Sequence, residues 1–124
     1  MTDASSAQSI GRQWWDAWTG RASTEEKRSL LADEVVFRFN TAPEKRGVDA
    51  FLSGETWPSG FTATLLAEVP QGQRVVHLYD VVNGSARMRV AELLSVGDGR
   101  ITAIDFIVDT AAYPAFLAGD APQP

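Results

Sequence analysis

Three long runs in the second half of the chain alternate apolar with polar residues, and short glycine-containing segments separate them. The separating segments are Asn83-Gly84 and Gly97-Asp98-Gly99. Alternation with a period of two indicates half-buried strands, and tight-turn residues between such runs favour antiparallel hairpins. The stretch from Gln73 to Asp109 therefore predicts a three-stranded meander, which the first half of the chain must cover.

Helical spacing dominates the start of the chain. Ile10, Trp14 and Trp18 recur every fourth residue, which places them on one face of a helix. The segment Ser23 to Glu26 resembles a capping box and predicts a second, short helix that continues through Leu31. The two tryptophans fit either of two interpretations: they pack in the core, or they form part of the wall of a ligand cavity.

The segment between the helices and the meander alternates in character. The pattern predicts strands at residues 35–40 and 61–69 and a short helix at residues 47–53. The composition of residues 41–45 and 55–60 is that of loops. Helices that precede a mostly antiparallel sheet define an α+β fold. We expect a curved antiparallel sheet wrapped on the long N-terminal helix and the short helices, which makes a half-open, cystatin-like cone.

The domain organisation predicted from this order is simple. Residues 1–8 and 118–124 are expected to be disordered, and residues 9–117 form one domain. At 124 residues, with 44% hydrophobic and 22% charged residues, the composition is typical of a single globular domain.

The charge balance argues against several partners. Lys and Arg number 11 against 16 acids, for a net charge of −5, and they form no basic cluster. A nucleic acid or an anionic membrane needs such a cluster, so neither partner is expected. The chain begins without a signal-peptide pattern and contains no run long enough to span a membrane, so we expect a cytoplasmic protein.

Cofactor chemistry is also restricted by composition. The chain has no cysteine and one histidine, His77, which excludes disulfides, thiol catalysis and sites built from several histidines. The acids do not cluster as the ligands of a hard cation would. We therefore expect no metal and no other cofactor.

The order of elements, with LADEVVFRFN followed by RG and then AELLSVGDGRITAIDFIVD, resembles the nuclear transport factor 2-like superfamily, and above all its SnoaL-like branch. The resemblance covers about residues 9–117. It implies a cone-shaped cavity between the curved sheet and the first helix, and often dimerisation through the outer face of the sheet. This fold hosts many functions, so each known chemistry has to be tested residue by residue.

Ketosteroid isomerases of this superfamily use an aspartate base, a protonated aspartate and a tyrosine on the first helix. By the resemblance these positions fall at Phe39, at Met88 and at Trp14 or Trp15. None of these side chains is a carboxyl or phenol group that can remove or donate the proton. Isomerase activity is therefore not expected.

Limonene epoxide hydrolases use two aspartates and an arginine around a water molecule. Asp80 matches one aspartate, but Leu78 stands for the arginine and Phe106 for the second aspartate, with Asp105 beside it on the opposite face. One carboxylate cannot both protonate an epoxide and activate water. SnoaL-like cyclases use an aspartate in a largely apolar cavity, a lighter demand that Asp80 could meet alone.

The turn near Gly84 allows two registers, and each places different side chains in the cavity. A two-residue turn puts His77 and Tyr79 inside, whereas a three-residue turn with a bulge puts Leu78 and Asp80 inside. We favour the bulged turn because it gathers more apolar residues on one face.

Asp80 is the candidate catalytic base under the favoured register, because an apolar wall would raise the pKa of its carboxyl group. Its other interpretation is a solvated acid or a partner of Arg87. His77 would then be a surface residue on a dimer face.

The sequence thus predicts a protein that binds a lipophilic polyketide, terpenoid or steroid-like compound, or a cofactor-free enzyme acting on one through Asp80. A cavity of roughly 300 Å³ or more distinguishes both from the alternative, a non-catalytic dimeric interaction module with a filled core. The predicted cavity wall consists of aromatic and aliphatic side chains: Trp14, Trp18, Phe37, Phe39, Phe51, Trp57, Leu78, Met88, Val90, Ile104 and Phe106.

A homodimer through the outer sheet face is also expected. Tyr79 and Ile107 would lie there between Arg87, Arg89 and Asp105, and such mixed patches are typical of association sites.

Overall fold

A computed structural model describes residues 4–40, 42–54, 58 and 60–119, and these contain four helices and six strands. The helices are α1 (Ala4–Thr19), α2 (Thr24–Ser29), α3 (Val48–Gly54) and α4 (Tyr113–Ala118). The strands are β1 (Leu31–Phe39), β2 (Lys45–Arg46), β3 (Thr62–Gln71), β4 (Arg74–Asn83), β5 (Ala86–Gly97) and β6 (Arg100–Val108). No described helix combines the length and the apolar character that crossing a membrane requires.

All six strands belong to one curved, unclosed sheet in the order β2-β1-β6-β5-β4-β3. Strands β3 to β6 form an antiparallel meander, β1 runs parallel to β6, and β2 pairs antiparallel with β1. Helix α1 packs across β3 to β6, α3 packs on β1 and β2, and α4 packs on β4 and β5. The predicted α+β fold, a curved sheet around a long N-terminal helix, is confirmed.

The β4–β5 hairpin decides which side chains point inward. It pairs Asn83 with Ala86 and Tyr79 with Val90, so the turn consists of two residues, Gly84 and Ser85. The favoured bulged register is therefore wrong. The two-residue alternative assigned the correct face to β4, although the turn lies one residue later than predicted. Gly84 has φ of 61°, a left-handed conformation that glycine adopts without strain in such turns.

The chain's C-terminal helix holds this turn in place. A Cβ at Gly84 would collide with the carbonyl oxygen of Gly119. The Ser85 amide donates to the same oxygen at 3.2 Å, and the Asn83 side-chain amide donates to the Phe116 carbonyl oxygen at 2.7 Å. The segment after β6 thus forms a helix that closes one end of the sheet.

Three element boundaries differ from those that the sequence pattern indicates. Helix α1 begins at Ala4, before the helical spacing that starts at Ile10, and the chain enters β1 at Leu31, which the capping-box pattern had assigned to a helix. The cap itself is present, since Ser23 Oγ accepts from the Glu26 amide at 3.2 Å. The helix ends early because the Leu30 carbonyl already accepts from the Ile101 amide of the sheet. Strand β2 lies partly in a predicted loop.

Close packing of α1 on the sheet depends on Gly11. A Cβ at this position would lie 2.6 Å from Val75 Cγ1 and 3.6 Å from the His77 ring. Real side chains do not approach so closely, so the helix and β4 are in contact through a residue that has no side chain.

We expect Gly11→Ala to lower the free energy of unfolding by about 2 kcal/mol, because overpacking outweighs the gain of about 1 kcal/mol in helix propensity. Urea denaturation measures the effect. Adding Val75→Ala removes the clashing methyl group, so the double variant should lose less than the sum of the two single losses. Ser9→Ala, on the exposed side of α1, is the control and should be near neutral. Additive losses would contradict the proposed contact.

Candidate functional site

A cavity of about 300 Å³ opens between the inner face of the sheet and the two short helices α3 and α4. Its walls come from β1, β2, β5, β6, α3, α4 and the β1–β2 loop, and they are mostly apolar. The lining residues are Phe37, Phe39, Ala42, Pro43, Lys45, Ala50, Phe51, Gly54, Met88, Val90, Phe106, Val108, Tyr113, Phe116 and Leu117.

Five aromatic rings form a connected wall of this cavity. The Phe51 ring lies 5.1 Å from Phe37 and stacks at 6.4 Å on Phe106. Phe39 lies 6.3 Å from Phe106 and 5.1 Å from Tyr113. Centroid distances of this size are those of favourable aromatic pairs, so the rings support one another and present faces and edges to the cavity.

The position of this wall depends on the end of β1. Asn40 has φ of 54°, a conformation that asparagine tolerates better than most residues. Its amide donates to the Phe106 carbonyl oxygen at 2.7 Å, and its side-chain oxygen accepts from the Val108 amide at 2.8 Å. These bonds place Phe39 opposite Phe106 on adjacent parallel strands.

The predicted cavity residues that the structure describes lie in three places: the cavity wall, the core and the outer face of the sheet. Among those that line the cavity are Phe37, Phe39, Phe51, Met88, Val90 and Phe106. Trp14, Trp18 and Ile104 are buried in the core instead, and Leu78 lies on the outer face of β4. Trp57 lies outside the described residues.

The tryptophans of α1 fill the space in which the family resemblance implied a cavity. Trp14 is 1% exposed and its ring lies 5.8 Å from Phe51, so it packs behind the aromatic wall. Trp18 stacks on Phe61 at 5.9 Å and lies 5.2 Å from Tyr79. The open space is displaced toward α3 and α4, away from the first helix.

Sequence reasoning missed the lining residues of α4 and β2, and also Ala42, Pro43, Ala50, Gly54 and Val108. Tyr113, Phe116 and Leu117 line the cavity and follow helical spacing, a signal that predicts one face of a short helix. Lys45 belongs to a strand of two residues, too short for a period of two to be recognised.

Asp80 does not face the cavity. It lies on the outer face of β4, where the Arg89 guanidinium donates to its two oxygens at 2.8 and 3.0 Å. Those hydrogen bonds hold the pKa of the Asp80 carboxyl below its usual value. The expected rise in pKa is therefore wrong, and the structural reason for choosing Asp80 as a base is gone.

His77 and Tyr79 take the inward positions instead, and each contacts a carboxylate. The Tyr79 hydroxyl donates to Glu92 Oε2 at 2.9 Å on the neighbouring strand. His77 Nε2 lies 2.9 Å from Glu68 Oε2 on β3. His77, Tyr79 and Glu92 are almost completely buried.

Glu68 is the centre of a polar cluster whose hydrogen bonds connect α1 to the sheet. Gln8 donates to it at 2.9 Å, and Arg12 donates at 2.8 and 3.1 Å. These bonds, with that of Arg12 the most important, lower the pKa of the Glu68 carboxyl to about 2. Glu68 is thus a carboxylate that accepts the Nε2 hydrogen of His77.

The second nitrogen of the His77 ring, Nδ1, is buried without a hydrogen-bond partner among the described residues. Burial lowers the pKa of the imidazole. A neutral ring is the form this arrangement favours, because protonation would create a buried donor with nothing to accept it.

The buried polar side chains of β3, β4 and β5 lie apart from the cavity. None of Glu68, His77, Tyr79 and Glu92 lines the cavity, and among the described lining residues only Lys45 and Tyr113 carry ionisable side chains. The described part of the chain also contains no group of three His, Cys, Asp or Glu residues that could hold a metal ion. The site is thus suited to enclosing an apolar body and less suited to moving protons.

Solved structures with the same architecture cover nearly the whole chain. A putative ketosteroid isomerase from Kribbella flavida is 21% identical, with a TM-score of 0.80 over 100% of this chain and 85% of that one. A putative SnoaL-like polyketide cyclase from Jannaschia sp. is 11% identical, with a TM-score of 0.80 over 96% and 94%. An epoxide hydrolase from M. tuberculosis, resembling limonene epoxide hydrolases, is 20% identical, with a TM-score of 0.72 over 93% and 92%.

No protein-family model matches the chain, and neither does any curated protein. The likeness at these low identities is one of fold. The chain has the nuclear transport factor 2-like fold, as its sequence predicts.

We expect Glu68→Gln to reduce the loss of folding stability that the wild type shows as the pH falls. Because the pKa of Glu68 falls from 4.5 to about 2 on folding, its contribution is complete above pH 4.5 and is lost as the pH falls toward 2. The shift corresponds to up to about 3 kcal/mol in the free energy of unfolding. Denaturation at several pH values should show a shallower decline for the variant, whereas the exposed control Glu34→Gln keeps the wild-type slope. Equal slopes for Glu68→Gln and wild type would contradict the role of this cluster.

Proposed function

We propose that the protein binds a small, ring-containing lipophilic molecule in the cavity between the sheet, α3 and α4. The observation that carries this proposal is the aromatic wall of Phe37, Phe39, Phe51, Phe106 and Tyr113 around about 300 Å³ of space. Ligand pockets begin at about this volume and are mostly apolar with few polar groups. A flat ring gains both buried area and stacking contacts against such a wall.

The fold supports the same proposal. Similar structures carry the names ketosteroid isomerase, polyketide cyclase and epoxide hydrolase. The notion of an interaction module with a filled core is less well supported, because side chains leave this space open.

Binding without acid–base catalysis is the version that the residues favour. Among the described lining residues there is no Asp, Glu or His. Proton transfer by a carboxylate or an imidazole requires such a group within hydrogen-bond reach of the substrate. Phe39, Met88 and Phe106 occupy positions at which the resemblance implied catalytic carboxylates, and all of them add apolar wall instead.

The neutral dye N-phenyl-1-naphthylamine tests the cavity, because its fluorescence rises on transfer from water to an apolar site. We expect saturable binding to the wild type and a loss of at least tenfold in affinity for Ala50→Trp, whose indole would occupy the cavity from an exposed lining position. Ser53→Trp is the matched control, since this exposed residue of α3 does not line the cavity. Equal binding by both variants would refute the proposed site.

We also propose a homodimer through the outer face of the sheet, on a residue set that keeps Ile107 from the prediction but omits Tyr79. His77 and Tyr79 point inward, so they do not contribute. The outer face carries Leu78 and Leu93 at adjacent strands, with Ile107 59% exposed. Exposed aliphatic groups in an ordered sheet favour association with a second such surface.

Light scattering should give twice the monomer mass of 13.5 kDa at micromolar concentration. Ile107→Lys places a charge on the outer face and should reduce the mass to that of the monomer. Gln13→Lys, on the exposed side of α1, is the control and should leave the mass unchanged. A wild type that is monomeric under these conditions would contradict the proposal.

A further inference from the structure

Lys45 places a positive charge at an otherwise apolar cavity. In the short β1–β2 ladder Lys45 lies directly opposite Phe37, whose ring belongs to the aromatic wall. Directly opposed residues of antiparallel strands project from the same face of a sheet. Lys45 therefore projects toward the cavity, and it is one of the residues that line it.

The neighbouring cations are neutralised on the other face. Arg38 forms ion pairs with Asp105 at 2.9 Å and with Glu44 at 3.3 Å. Arg46 pairs with Glu44 at 3.2 Å. By contrast, Lys45 makes no ion pair with any residue of the described part of the chain.

The cavity offers this ammonium no counter-charge. Its described lining contains no carboxylate, and Tyr113 supplies its only other ionisable side chain, a phenol that can donate a hydrogen bond. Tyr113 lies 5.1 Å from Phe39, so it is part of the same wall. An apolar space with one cation and no acid is complementary to a molecule that is apolar over most of its surface and negative at one end.

We infer that the ligand is an amphiphilic anion: a ring-containing body in the aromatic wall, with one anionic oxygen group, such as a carboxylate, on the ammonium of Lys45. This inference rests on the proposed function and narrows its ligand class. A neutral ligand would cover part of the cavity without using the ammonium. An anionic one gains a charge-assisted hydrogen bond, which is stronger than a bond between neutral groups.

Two dyes that have the same two ring systems distinguish the effect of ligand charge on binding from the effect of ligand shape. 8-Anilinonaphthalene-1-sulfonate carries a sulfonate, and N-phenyl-1-naphthylamine is the same skeleton without it. Lys45→Met keeps an unbranched side chain and removes the charge. Arg46→Met removes the adjacent cation, which lies on the opposite face and pairs with Glu44, and it is the matched control.

Fluorescence titrations at low salt should show that Lys45→Met raises the Kd of the anionic dye about tenfold, the effect of one hydrogen bond to a charged group. The Kd of the neutral dye should stay within twofold. Arg46→Met should change neither value by more than twofold. Half-molar sodium chloride should weaken the anionic dye on the wild type and shrink the difference from Lys45→Met, because Lys45 is exposed and salt screens its charge.

The possible outcomes distinguish a failure of this inference from a failure of the proposed function. If the neutral dye binds in the cavity but Lys45→Met leaves the anionic dye unaffected, the inference is overturned and the proposed function stands. If Lys45→Met weakens both dyes equally, the residue acts through shape and the inference is again overturned. If neither dye binds the wild type, or if Ala50→Trp displaces neither, the proposed function fails and the inference with it. A thermal melt of each variant excludes misfolding as the cause of a loss of dye affinity. Lys45→Gln repeats the test with a second uncharged side chain.

Discussion

The hairpin between β4 and β5 turns at Gly84 and Ser85, where the backbone of Gly119 leaves no room for a side chain on Gly84. Since side chains alternate along a strand, the position of this turn settles the direction of every residue in β4. A slip by one residue would bring Asp80 into the core and separate it from Arg89. A buried carboxylate without a partner costs several kcal/mol, so the observed register is strongly preferred.

The same register requires partners for the polar groups that it buries. Glu68 on β3 accepts a hydrogen bond from His77, and Glu92 on β5 accepts one from the Tyr79 hydroxyl. Through Arg12 the first of these pairs also connects α1 to the sheet. The first pair thus helps to hold the first helix on the sheet, the second pair links β4 to β5, and the tryptophans of that helix fill the adjacent space. What stays open is the apolar region under α3 and α4, which explains why the cavity is separate from the buried acids.

Local patterns were sufficient for the fold and for part of the site. Alternation in β6 correctly directs Ile104 and Phe106 to the inner face, because only one of its two faces is consistently apolar, but it does not reveal that Ile104 is in the core and only Phe106 lines the cavity. The stretch VVHLYDVV has apolar residues on both faces, so its direction depends on Glu68 and Glu92 from other strands, which no local pattern reveals. The position of the cavity depends on how rings pack between distant elements. That information resides in three-dimensional contacts such as Trp14 with Phe51.

The proposed anionic ligand has to be reconciled with the acidic character of the chain, and the distribution of charge does this. The net charge is −5, yet Asp80 and Asp105 lie on the outer face of the sheet, where arginines bind them. Screening over a distance of about 10 Å at moderate salt weakens the repulsion that such exterior acids exert on a bound molecule. Within the cavity the nearest formal charge of the described lining is the ammonium of Lys45. In the proposed complex, shape and aromatic contact select the molecule, and this one cation binds its anionic end.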